Sequence, residues 1–151
     1  MAGLYHEFFI VNRLLNNENY YILTKDRGET VSLEDDFILY IYDSLKWVKS
    51  YNPSKQEFCM GLCLYGVTQI YGESLSKFKN IIRTYRNLFE YAPSSIILKG
   101  SYSVQQSNNA DLGGYEVLVF DKDKLLKKLD MLIDMCQKAL VGNNYLLHYG
   151  I

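Results

Sequence analysis

At 151 residues, 48% of them hydrophobic, the chain can bury about 70% of its unfolded surface, and an ordinary 22% charged fraction excludes intrinsic disorder. A formal net charge of −1 argues against a general nucleic-acid binder, which needs a clustered basic excess. With no bilayer-length apolar run and no cleavable leader pattern, the expectation is a single cytoplasmic domain over 1–151; three cysteines without framework spacing suit a reducing compartment.

The opening "GLYHEFFIVNRLLNN" reads as either helix or strand over residues 4–16, and the helical spacing of Leu4, Phe8, Val11 and Leu15 favours the helix. "NYYILT" at 19–24 is a short β-prone run closed by the turn-like "KDRGE". In "SLEDDFILYIYDSLKWVKSYNP", Ser32 is a candidate N-cap, and Glu34, Asp35 and Asp36 suit the positive end of a helix dipole. Phe37, Ile38, Ile41, Leu45 and Val48 form its apolar stripe, and Asn52-Pro53 predicts its end. "SKQEFCMGLCLYGVTQIYG" repeats the logic, with a Ser54/Glu57 capping box and an apolar series from Phe58 to Ile70, although Gly61 and Gly66 weaken a helix. A further helix, "ESLSKFKNIIRTYRNLFEYAP", buries Leu75, Phe78, Ile82, Tyr85 and Phe89.

After Pro93 the period changes. "SSIILKGSYSV" and "YEVLVF" read as strands joined through "QQSNNADLGG", longer than an ordinary hairpin loop and rich in amides. That segment is either a slack hairpin tip or a recognition loop. A last helix starts at a cap on Asp121 and stops at Gly142, and "NYLLHYGI" reads as a final strand. The predicted class is α+β: a helical body of about four to five helices with a small antiparallel sheet from the C-terminal half.

Charge is unevenly distributed. Residues 1–45 carry net −5, residues 46–100 net +5 and residues 101–151 net −1. The opposed thirds either face each other in the fold or expose a steering surface for a charged partner. The basic helix, with Lys77, Lys79, Arg83 and Arg86, is a solvated face or docks on the acidic third. Fourteen Tyr, eleven Asn and two Pro are what A/T-rich codons produce, consistent with a bacterial gene.

Signatures of catalysis are sparse. Cys59 and Cys63, four apart on the predicted helix, could share a metal, but they fall on its apolar stripe and read as core, as does Cys136. Neither metal nor cofactor is expected. The two histidines, His6 beside Glu7 and His148 near the end, lie in no catalytic signature, and no nucleophile elbow, phosphate loop or dinucleotide fingerprint occurs. Glu34, Asp35 and Asp36 are consecutive, so on a helix they diverge instead of converging on an ion.

The stretch "LKGSYSVQQSNNADLGGYEVLVFDKDKLLKKLDMLIDMCQKAL", continuing into "YLLHYGI", resembles the core of bacterial immunity proteins of contact-dependent growth inhibition and related polymorphic-toxin systems. The resemblance covers about a third of the chain and carries no diagnostic motif. It implies an antitoxin without chemistry of its own, which binds a cognate toxin domain, often a nuclease, and blocks its active site, with no direct contact to nucleic acid or membrane. A basic nuclease cleft would meet clustered carboxylates. The acidic set is Glu29, Glu34, Asp35, Asp36 and Asp43, with Glu18 and Asp26 nearby. Gln105, Gln106, Asn108, Asn109 and Asp111 would make a second contact patch, and exposed tyrosines would serve as anchors. Two alternatives stand beside it: a scaffold or regulatory binding subunit, and a small enzyme with a site around His6, Glu7 and His148.

Overall fold

The computed structural model describes residues 3–16, 28–107 and 110–151, the side chains of 105–112 excepted. Among the described residues are eight strands and three helices. They are β1 (Tyr5–Val11), β2 (Val31–Glu34), α1 (Asp35–Leu45), β3 (Lys49–Asn52), β4 (Glu57–Met60), β5 (Val67–Ile70), α2 (Gly72–Phe89), β6 (Ser95–Ser107), β7 (Ala110–Asp121), α3 (Lys122–Val141) and β8 (Tyr145–Tyr149). Six strands form an antiparallel sheet in the order β2-β1-β8-β5-β3-β4, and β6 and β7 form a separate two-stranded ribbon.

This corrects the expected four-to-five-helix body. The chain is α+β but sheet-rich, and its main sheet draws strands from both ends of the sequence. The predicted N-terminal helix is β1. It is sandwiched, with Phe8 buried on one sheet face and Phe9 on the other. A central strand buried on both sides is nearly continuously apolar, which masks its two-residue period.

The second expected helix, Ser54 to Ile70, is β4, a turn and β5. Its supposed capping box is a hairpin turn: the Asn52 side-chain oxygen accepts from the backbone N–H of Ser54 (3.0 Å) and Lys55 (3.2 Å), and Gln56 takes φ 53°. Gly61 then adopts φ +80°, and a Cβ there would lie 3.2 Å from the Lys46 Cα. The glycine thus marks a left-handed turn between strands. Upstream, α1 is capped at Glu34 rather than Ser32 and ends at Leu45, so that 49–52 are free to form β3. The later helices match their expected places: Asp121 caps α3 by accepting from the Lys124 N–H, and Gly142 closes it.

Register sorts the sheet into two faces. Val31, Leu33, Phe8, Leu146 and Ile70 project onto one face, where they form a single core with Phe37, Ile41, Phe78, Leu129 and Leu132 of the helices. Phe9, Leu147 and Val67 project onto the other with Leu15. Buried Gln69 holds the chain after β1 against this second face, accepting from the Leu15 N–H (2.8 Å) and donating to the Arg13 carbonyl (3.0 Å). Among the described residues no helix is long and apolar enough to cross a membrane.

Candidate functional site

Two features stand out in the fold: a buried polar chain through both histidines, and an exposed surface shared by α1 and the ribbon. His6 on β1 and His148 on the neighbouring β8 project to the helix-covered face and are completely buried. Their rings lie nearly parallel, 16° apart, with His6 Nδ1 2.8 Å from His148 Nε2. His6 Nε2 lies 2.8 Å from Asp35 Oδ1 at the start of α1, and His148 Nδ1 makes a longer 3.5 Å contact with Thr68 Oγ1 on β5. Thr68 in turn accepts from the Cys63 N–H at 2.8 Å. One assignment of donors satisfies every contact: Cys63 N–H to Thr68, Thr68 O–H to His148, His148 Nε2–H to His6, and His6 Nε2–H to the Asp35 carboxylate.

Burial is the main cause that lowers the pKa of His148 from its ordinary 6.5 to about 3, with the nearby His6 adding to it. The ring is therefore neutral across the physiological range. Both imidazoles are completely buried, and Asp35, at the end of the chain of bonds, has a side chain 16% exposed. Glu7, the third member of the expected enzymatic set, points to the opposite sheet face, because it neighbours His6 along β1. The chain of bonds ties β5, β8, β1 and α1 together, and its members are all partnered.

The five acidic residues expected to form one patch take different positions. Asp35 is engaged by His6, and Glu29 pairs with Lys138 of α3 at 3.4 Å. Glu34 lines a hollow of about 210 Å³ with Phe37, Phe120, Lys124 and Lys128. Asp36 and Asp43 remain outward on α1; Asp43 is almost fully exposed and 3.1 Å from Lys46. Seven residues apart, these two share one helix face, and exposed Leu39 and Tyr40 lie between them.

The expected ten-residue loop is also corrected. β6 continues to Ser107 and β7 begins at Ala110, with Gln105 opposite Leu112 and Gln106 opposite Asp111. Backbone pairing thus places Gln105, Gln106 and Asp111 on strands; Asn108 and Asn109 lie outside the described residues, as do Glu18, Asp26 and the 19–24 run. A bulge at Gly100 and Ser101 breaks the register between Lys99 and Tyr102. Beyond it, residues 101–104 and 113–117 are exposed throughout, so the ribbon projects as an arm.

At the root of this arm one member of the expected acidic set, Asp36, meets the ribbon, but no residue of the expected amide patch does. Asp36, Leu39 and Tyr40 of α1 line an open hollow of about 280 Å³ together with Lys99, Ser101 and Glu116 of the ribbon. Sequence reasoning missed Leu39, Tyr40 and Glu116. The available signal was that Leu39 and Tyr40 are apolar yet off the buried stripe of Phe37, Ile38, Ile41 and Leu45.

The basic helix packs on the acidic third through Phe89 against Phe37 and through Tyr85 Oη, 2.8 Å from Ser44 Oγ, but three of its basic side chains turn elsewhere. Arg86 of α2 bonds Asp130 of α3 and Glu90, Lys79 bonds Gln137 of α3, and Lys77 donates to the Trp47 carbonyl. Cys59 lies on β4 near Ser50, and Cys63 in the following turn, so the helical spacing that would have joined them is gone. Among the described residues no group of three His, Cys, Asp or Glu side chains could hold a metal ion.

No family model, curated protein or solved structure matches the chain.

Proposed function

We propose that this chain is a bacterial, cytoplasmic immunity protein that binds a cognate toxin domain, a nuclease by preference, and blocks its active site. The observation that carries this reading is the hollow between α1 and the arm, where Asp36 and Glu116 sit beside exposed Leu39 and Tyr40. Carboxylates next to an aromatic anchor suit a basic, phosphate-seeking cleft: the charges speed encounter, and the ring supplies contact area at low entropic cost. Asp43 extends the same helix face. Support for a binding role over an enzymatic one comes from the histidines, whose nitrogens are spent on buried structural partners.

The test begins with a pull-down of the tagged protein from its host through a high-salt wash. The expected partner is a C-terminal fragment of a large exported protein, whose nuclease activity an equimolar amount of this chain abolishes. Asp36→Lys combined with Asp43→Lys should slow association by about tenfold and flatten its salt dependence in stopped-flow mixing. A household partner would favour a scaffold subunit, and unchanged kinetics would remove the α1 face from the account.

A further inference from the structure

The outer face of the arm adjoins the hollow at its root, the two meeting at Lys99. Cross-strand pairs on this face are Ile97 with Val119, Lys99 with Val117, and Tyr102 with Tyr115, followed by Val104 opposite Gly113. The six large apolar side chains in this series are each more than half exposed. Lys99, the one charge among these pairs, lies with Nζ 4.4 Å from the centre of the Tyr115 ring, and Tyr102 and Tyr115 pack edge to face at 5.0 Å. Gly113 opens space beneath Tyr102, since a Cβ there would collide with the phenol oxygen. The opposite face of the ribbon root, with Ile96, Leu118 and Phe120, is already buried in the core.

We propose that this face binds a second copy of the same chain, forming a two-fold dimer in which the arms stack antiparallel, face to face. Six such side chains offer on the order of 600 Å² per chain, above the largest apolar patch of many monomers. Two copies would bury about 1,200 Å², the lower end of stable, specific interfaces. Four cross-strand pairs with one charge, itself held over a ring, match the apolar character of homodimer contacts rather than a charged transient encounter. In addition, an isolated two-stranded ribbon is marginal in water, and the distal arm has no second layer from its own chain among the described residues. Antiparallel stacking supplies that layer. The Tyr102/Tyr115 pair of one copy lies over Lys99/Val117 of the other, and Ile97/Val119 over Val104/Gly113, large against small.

This proposal does not depend on the toxin reading, and the test separates them. Light scattering of the full chain during size exclusion, over about a hundredfold dilution, should give twice the chain mass until the lowest concentrations. Val117→Glu, at an exposed position, should weaken the dimer by at least about tenfold while the far-UV spectrum is kept; Tyr102→Ser serves as the second variant. Asp36→Lys should leave the mass unchanged. The thermal midpoint should rise with concentration in the parent and stay constant in Val117→Glu. Single-chain mass throughout, a dimer indifferent to both arm variants, or growth past the dimer by strand-edge pairing would each overturn the proposal.

Discussion

Acidification should destabilise this protein through the buried His148. The folded state holds that imidazole at a pKa of about 3, against 6.5 for a solvated ring. The unfolded chain therefore takes up a proton that the fold excludes, and stability falls as pH drops from 6.5 towards 3. Above 6.5 neither state binds the proton, and this contribution is flat. The slope is about 1.4 kcal/mol per pH unit, so the loss between pH 6.5 and 5 is about 2 kcal/mol, and about 5 kcal/mol over the full interval. For a domain whose total stability is about 5–15 kcal/mol, the larger figure reaches the whole margin. Urea unfolding at pH 7.5, 6.5, 5.5 and 5.0, in parallel with His148→Gln, measures it. The variant should be less stable near neutral pH, because His6 loses a partner, yet shallower in its pH dependence by about 2 kcal/mol across that window. NMR provides the direct check, since the His148 ring resonances should not titrate above pH 5. A His148 titration near 6, or parallel pH profiles for parent and variant, would refute the argument from burial.

Other consequences are equally local. Asp35→Ala should cost about 1–3 kcal/mol in urea unfolding by leaving the buried His6 Nε2–H without its acceptor, and Asp35→Asn should recover part of that loss. Gly61→Ala, forced to φ +80° beside the Lys46 backbone, should cost about 1–3 kcal/mol, whereas Gly28→Ala, with open space around it, should cost well under half of that. Burial pushes the Cys136 thiol up to about 12, so brief alkylation of the native protein near pH 8 should modify the partly exposed Cys59 and Cys63 and spare Cys136 in peptide mass spectra.

The helices that are amphipathic in the ordinary way were legible. α2 and α3 alternate buried and exposed residues at the helical period, and Pro93, Asp121 and Gly142 punctuate them. The strands β6, β7 and β8 were legible as well, whereas β1, β4 and β5 were obscured for two physical reasons. β1 lies inside the sheet with both faces covered, so Phe8 and Phe9 divide between the two faces and the two-residue period is masked. β4 and β5 are four residues each, and the spacing of Phe58, Cys59, Leu62, Cys63, Val67 and Ile70 fits a helix only if Gly61 and Gly66 are ignored. Those glycines were the better signal: one needs a left-handed backbone, and the other leaves room for the Cys63 sulfur, 2.9 Å from where a Cβ would stand.

The same logic explains why the acidic cluster divides. A carboxylate at a helix start serves the dipole equally well wherever it points, so sequence alone cannot separate Glu34, Asp35 and Asp36. The fold separates them by angle. Asp35 turns inward to His6, whereas Asp36 turns outward to the arm. A triple reversal of Asp35, Asp36 and Asp43 to lysine would therefore be a poor test of partner binding, since Asp35→Lys would replace the acceptor of the buried His6 N–H with an ammonium. Restricting the reversal to Asp36 and Asp43 leaves the buried chain intact. Slower association in that double variant, with an unchanged unfolding curve, then reports on the α1 surface alone; the same loss from Asp35→Lys would report only on the core.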